Sequence, residues 1–288
     1  MTELPEADLA LLGQELPALQ SADVVSPLYD GGHGRLEYRM AGATDRPVIL
    51  LLHGLGSSSA GYRAQLAGLA DDFRVIAWNA PGFGGSTHLA TDDPDVHDYA
   101  DIIAALLTAL RIDRVAALVG SSWGSVIATA FAARQPERLG HLVLSAANTA
   151  RGNLTSEARA TELAARLQSA DTSIPVPRSA VADRLLTPQT PPLVRQLVEP
   201  LRDAMTTRGW RQAITMLFTV YTPDLIREVA SPISLLAGTA DQLAPYRDHA
   251  VRLRDAARSA ELHLFEGYGH MLKLEAPTRF NTLLRASR

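Results

Sequence analysis

Three side chains far apart along the chain, Ser122, Asp241 and His270, have the types and order needed to make an alcohol reactive. A serine hydroxyl is a weak nucleophile at neutral pH. It gains reactivity from a base within hydrogen-bond reach, itself oriented by an acid. Ser122 lies in Gly120-Ser121-Ser122-Trp123-Gly124, between the apolar run 115–119 and the apolar run 125–134. The backbone must reverse there within a few residues. Glycines at 120 and 124 remove two obstructing Cβ atoms, and a fresh helix N-terminus lies beneath the hydroxyl. Asp241 and His270 each follow an apolar run by one short loop, in the order Ser…Asp…His. Negative charge developing on an acyl oxygen needs two preorganised donors. The backbone N–H of Trp123 and that of Leu55, in the tight turn His53-Gly54-Leu55-Gly56, are the candidates for this oxyanion hole. His53, ahead of the glycine, reads as a structural hydrogen-bonder, and His88 and His97 as surface residues.

The elements that must carry these groups follow from the apolar rhythm. Short apolar runs at 48–52, 74–78, 115–119, 139–146, 233–238 and 261–265 read as strands, with helices at 60–70, 96–110 and 125–134. Strands without polar alternation, separated by helices, argue for a parallel sheet covered on both faces. In such sheets functional groups collect at the carboxyl ends of the strands. Ahead of this rhythm, Leu9, Leu12, Leu16 and Leu19 recur at helical spacing, predicting a helix over about 1–22. It reads as a helix laid on the body of the domain; a lid flap or a contact in a homodimer is the alternative. Two strands, 24–29 and 35–40, follow across the hairpin turn Gly31-Gly32-His33-Gly34.

The rhythm breaks near residue 148 and resumes near 231. Between them lies helical sequence punctuated by Pro175, Pro177, Pro188, Pro191 and Pro192, with helices expected at 157–169, 194–206 and 209–221. The expected fold class is therefore α/β, a mostly parallel doubly wound sheet with a helical cap inserted between strands. Residues 1–147 and 231–288 form the core, and 148–230 the cap. Trp210, Ala213, Ile214, Leu217, Phe218 and Tyr221 share one helical face. That face either packs the cap onto the core or lines a substrate pocket, with Trp210, Leu217, Phe218 and Tyr221 as the binding candidates. A mostly apolar lid favours a small or medium hydrophobic acyl compound.

Composition narrows the partners. With 288 residues, 47% hydrophobic, a large core can be buried. A net charge of −4 with 20% charged residues leaves no basic stripe for nucleic acid and no polybasic membrane anchor. The acidic N-terminus does not read as a signal peptide, and no apolar run approaches the roughly 18–20 residues of a membrane span. A cytoplasmic protein with a small-molecule substrate is the expectation. Cysteine is absent, which removes disulfides, thiolate metal sites and a cysteine nucleophile.

On the oxyanion turn His53–Gly56, the segment Asn79-Ala80-Pro81-Gly82-Phe83-Gly84-Gly85-Ser86, the serine elbow, Asp241 and Gly269-His270, the chain resembles the α/β-hydrolase superfamily from about residue 24 to the end. Asn79 departs from the aspartate usual there, which bears on local hydrogen bonding more than on catalysis. Serine at the elbow disfavours the dehalogenases and epoxide hydrolases of the superfamily, which place aspartate there. The resemblance implies acyl transfer from a carboxylic ester, lactone or thioester through an acyl-enzyme, with no metal or organic cofactor. Small carboxylesterases and enol-lactone hydrolases share the chain's length. Carbon–carbon hydrolases of vinylogous diketones share the triad. Proline iminopeptidases carry a similar elbow and need acidic cap residues, for which Glu157, Glu162, Glu199 and Asp203 are available. A ligand receptor, or a cofactor-free lyase or oxygenase on the same fold, is the alternative from another class.

Overall fold

Strands whose side chains are apolar in both directions need cover on both faces, and the arrangement of this chain supplies it. The structure is a computed structural model that describes residues 4–171 and 178–287. In chain order the first elements are α1 (Glu6–Leu12), β1 (Leu19–Val25), β2 (His33–Ala41), β3 (Val48–Leu52), α2 (Arg63–Gly68) and β4 (Arg74–Trp78). Next come α3 (Val96–Ala109), β5 (Val115–Ser121), α4 (Trp123–Arg134) and β6 (Leu139–Ser145). Helices α5 (Ser156–Asp171), α6 (Arg178–Leu185), α7 (Pro192–Val198), α8 (Thr207–Leu217) and α9 (Thr222–Ile226) then intervene before β7 (Ile233–Gly238). The chain closes with α10 (Ala250–Ala256), β8 (Glu261–Phe265), α11 (Leu272–Glu275) and α12 (Pro277–Ala286).

The strands form one eight-stranded sheet in the order β1-β2-β4-β3-β5-β6-β7-β8. Pairs β1·β2 and β2·β4 are antiparallel, and every later pair is parallel. Within β3, Val48, Leu50 and Leu52 enter the core shared with α3 and α4, while Ile49 and Leu51 enter the core shared with α2 and α12. All five are buried, so the period-two alternation separates two apolar cores instead of core from water. Among the described residues no helix is long and apolar enough to cross a membrane.

Three local expectations are corrected. The N-terminal helix does not run over 1–22: it ends at Leu12 with Gly13 as its C-cap, and Leu19 opens a strand. Gly13 closes the helix by donating to Leu9 O, and Pro17 keeps it from resuming, because its ring disfavours helical backbone at Leu16 and it donates no N–H. Leu12 of the leucine stripe is buried, but Leu9 and Leu19 are exposed. Residues 1–3 of that expected helix lie outside the described residues. The first strand runs over Leu19–Val25, not 24–29, because β2 pairs Leu19 with Arg39 through to Val25 with His33, and Pro27 cannot extend the ladder. The helix expected at 194–206 gives way after Val198 to a 3₁₀ turn over Glu199–Ala204, with Pro200 removing a helical donor. Pro175 and Pro177 lie outside the described residues.

Candidate active site

Ser122 sits at the junction of β5 and α4 with φ 54° and ψ −115°, a left-handed conformation rare outside glycine. Its neighbours explain how the chain tolerates it. A Cβ on Gly124 would lie 2.5 Å from Leu52 O and 2.6 Å from His53 O, and one on Gly120 would meet the Gly124 carbonyl. The elbow therefore packs backbone against backbone. Its strain is held by the Ser122 N–H donating to Ser145 O (2.9 Å) and the Ser125 N–H donating to Ser122 O (2.9 Å).

His270 follows β8 by one loop, Asp241 follows β7, and the two strands are parallel neighbours. The buried His270 Nδ1 stands 2.7 Å from the buried Asp241 Oδ2. The other Asp241 oxygen accepts from the N–H groups of Leu243 (2.9 Å) and Ala244 (3.0 Å). Burial pushes this carboxyl up, but the His270 ring and the two backbone donors outweigh it and leave its pKa below the usual value. The acid is thus held as a carboxylate aimed at one nitrogen of the ring. Ser122 and His270 line the same cavity, together with Leu55.

The oxyanion-hole candidates lie beside the serine. Gly54 approaches so closely that a Cβ there would be 3.2 Å from Ser122 Cβ. The N–H of Leu55 follows directly in that turn, and the N–H of Trp123 opens α4. Neither has a protein acceptor among the described residues, as expected of donors reserved for an external oxygen.

His53 is structural. Its Nε2 accepts from the Ala80 N–H (3.1 Å), its Nδ1 faces Gly54 O (2.9 Å), and its ring meets Phe83 edge-on at 4.7 Å. Full burial lowers its pKa to about 4. Asn79, the departure from aspartate, accepts from the Ser59 N–H (2.8 Å) and donates to Glu37 (3.3 Å), tying two loops below the site. His88 bonds Thr206 at 2.7 Å, joining the 79–88 loop to the helical insertion.

The four pocket candidates are not among the described residues lining that cavity. Leu217 and Phe218 are buried and Trp210 is packed against the same core as Trp123 and Val126, while Tyr221 bridges to Ala150. The Trp123 indole donates to Ala213 O (3.1 Å), fastening α8 onto α4. The apolar face of α8 thus enters the core shared with α4 and α5, where Arg166 of α5 lies over the Phe218 ring at 6.0 Å. The cavity at Ser122 is instead walled by Val181, Leu185, Val198 and Leu201 of the insertion. Of the acidic residues considered for holding an amine, Glu162 pairs with Arg151 (3.0 Å) and Asp203 with Arg178 (2.5 Å). Neither they nor Glu157 and Glu199 are among the described residues lining the cavity.

Sequence reasoning missed the polar floor of that cavity: Ser57, Ser121 and Lys273. Lys273 is buried three residues past His270, on the single turn of α11. Its Nζ donates to Ser121 Oγ (3.0 Å) and lies 5.2 Å from the centre of the Tyr62 ring. Burial lowers its pKa to about 8, against the pull of Glu275.

The family model described as the alpha/beta hydrolase fold matches residues 47–277, and the chain belongs to that family. An uncharacterized protein of Mycobacterium tuberculosis is 30% identical over 275 residues, covering 86% of this chain and 76% of its own length. A 2-hydroxy-6-oxononadienedioate/2-hydroxy-6-oxononatrienedioate hydrolase of Paraburkholderia phymatum is 29% identical over 272 residues, covering 90% of this chain and 93% of its own. Among solved structures, a thermophilic esterase from Thermogutta terrifontis superposes with a TM-score of 0.81 at 22% identity, covering 93% of this chain and 97% of that one. That likeness shows the fold.

Proposed function

We propose that this hydrolase uses Ser122 as nucleophile to cleave a small or medium, largely apolar carboxylic ester, lactone or thioester through an acyl-enzyme. The observation that carries the reading is the strained serine at φ 54°, sharing one cavity with a histidine whose Nδ1 is 2.7 Å from a buried carboxylate. In this reading His270 takes the Ser122 proton as the oxygen attacks the carbonyl, and the N–H groups of Leu55 and Trp123 hold the oxyanion. His270 returns the proton to the leaving group, then activates water to release the acid. Asp241 fixes the imidazole tautomer and stabilises the imidazolium. Residues 148–230 act as the cap, and their Val181, Leu185, Val198 and Leu201 side chains receive the apolar part of the acyl chain.

The test is a fluorophosphonate label mapped by peptide mass. It is expected on Ser122, absent in His270→Ala, and accompanied by turnover of p-nitrophenyl esters that Ser122→Ala abolishes. Labelling elsewhere, or undiminished turnover in Ser122→Ala, refutes it. A second reading, hydrolysis of a carbon–carbon bond in a vinylogous diketone, is favoured by the name of the Paraburkholderia relative. Faster loss of a dienone chromophore than of any ester would select it. The pairing of Glu162 and Asp203 with arginines argues against an aminopeptidase.

A further inference from the structure

The floor of the cavity carries an electrostatic imbalance that proton transfer between Ser122 and His270 does not need. Lys273 is 1% exposed, and among the described ion pairs it has no carboxylate partner within 4.0 Å. Its Nζ is supported by one hydroxyl (Ser121), by the Met271 sulfur at 3.9 Å and by the face of Tyr62. Glu275, the carboxylate that acts on it from the same turn, is committed elsewhere. It accepts from Thr190 Oγ1 (3.0 Å) and from the N–H groups of Gly269 (3.2 Å) and Met271 (2.9 Å). A buried ammonium without a paired anion is costly unless something completes it.

Two further observations locate the missing partner in the cavity. Ser57 Oγ, buried and lining the cavity, has no hydrogen-bond partner among the described residues. Ser57 and the lysine stem both border Gly61, where a Cβ would be 2.8 Å from Ser57 Oγ and 3.5 Å from Lys273 Cε, so the two side chains are near neighbours. Among the described lining residues the side chains of fixed charge are Lys273 and Arg202, both positive, and no carboxylate lines the cavity.

We propose that Lys273, Ser57 and Ser121 form a carboxylate subsite, so that the preferred substrate carries a free carboxylate at the end of its acyl chain. The assignment rests on the serine-hydrolase reading and adds the substrate's charge to it. The acyl part is the one assigned because it stays bound while the leaving group departs, and this subsite is the buried end of the cavity. A carboxylate there would accept from Nζ and from the Ser57 hydroxyl, replacing water with charge-assisted hydrogen bonds.

The experiment compares mono-p-nitrophenyl succinate and glutarate with p-nitrophenyl butyrate and valerate on the full chain at pH 7. The wild type is expected to favour the carboxylated ester at least tenfold in kcat/KM, mainly through KM. That ratio should fall to near one in Lys273→Met. It should also drop several-fold in Ser57→Ala, which removes the hydroxyl donor without removing the charge. A wild-type ratio at or below one overturns the proposal, whatever the variants do, and so does a ratio that survives in Lys273→Met. Should neither ester turn over and Ser122 escape labelling, the hydrolase reading fails separately. The subsite is then decided by glutarate at 10 mM, which is expected to raise the melting temperature by about 2 °C or more where glutaramide does not. No such shift, or an equal shift in Lys273→Met, overturns it.

Discussion

Replacing Lys273 with methionine should stabilise the protein at neutral pH and abolish a pH dependence that the wild type shows above pH 8. The magnitude follows from the burial of the ammonium. Its pKa falls from 10.5 in an open chain to about 8 in the fold. At about 1.4 kcal/mol per pH unit, the charged form is penalised on folding by on the order of 3 kcal/mol. Between pH 8 and 10.5 the unfolded chain holds a proton that the folded chain has released. Stability of the wild type therefore rises with pH across that window, and the penalty is fully present below it. Methionine matches the length and carries no charge, so the variant has no penalty to lose. It forfeits the hydrogen bond to Ser121, about 1 kcal/mol, which trims the gain at pH 7 to about 2 kcal/mol. Urea denaturation of both proteins at pH 7, 8, 9 and 10 measures the difference directly. The variant should lead at pH 7 and lose most of that lead by pH 10. A lead that stays constant with pH, or a variant less stable than the wild type at pH 7, would refute the claim that an unpaired ammonium is buried there.

Ser122→Ala and His270→Ala should each lower kcat by on the order of 10⁴–10⁶, and Asp241→Asn by somewhat less; full turnover in Asp241→Asn shows that another carboxylate orients the base. His53 should remain neutral far into acid. Its folded pKa of about 4 lies below the ordinary 6.5, so on the order of 3 kcal/mol of stability is lost as pH falls across that interval. A ring titration by NMR with a midpoint above 6 contradicts this. Gly124→Ala drives a methyl group to 2.5 Å from Leu52 O and should cost about 1–3 kcal/mol or abolish soluble expression; a melting temperature equal to wild type contradicts the packing described. Trp123→Phe removes the indole donor to Ala213 O and should cost about 1 kcal/mol, with loss of protection in α8 by hydrogen exchange; unchanged exchange there shows that this bond does not fasten the helix.

What the chain reveals before folding depends on whether the controlling physics is local. The strands were legible because parallel strands buried on both faces leave uninterrupted apolar runs, as Val48–Leu52 and Ile233–Gly238 do. The placement of Ser122, Asp241 and His270 at one sheet edge was legible because each follows the end of such a run, and a glycine on each side of the serine marks a backbone under constraint. Local signals misled wherever a distant partner decided the outcome. The leucines at 9, 12, 16 and 19 have helical spacing, but Pro17 and the ladder to β2 take Leu19 into a strand. Trp210, Leu217 and Phe218 do form one apolar face, and spacing cannot say whether that face meets a ligand or another helix; here it enters the core shared with α4 and α5.

Lys273 illustrates the deeper limit. A lysine in a short helix near the C-terminus reads as a solvated charge, since lysine is rarely buried alone. Its burial is created by residues from remote parts of the chain: Ser57 and Tyr62 after β3, Ser121 at the end of β5, Leu201 from the helical insertion. Each is unremarkable in its own segment, and only the sheet order β3-β5 places Ser121 beside the turn that follows β3. The same order brings the donors of the oxyanion turn next to the serine. The strained serine and the buried lysine beside it are thus brought together by one pairing of neighbouring strands. A side chain stands out in sequence when its own backbone must be special, as at Ser122. A group whose role comes only from what surrounds it becomes visible when the surroundings do.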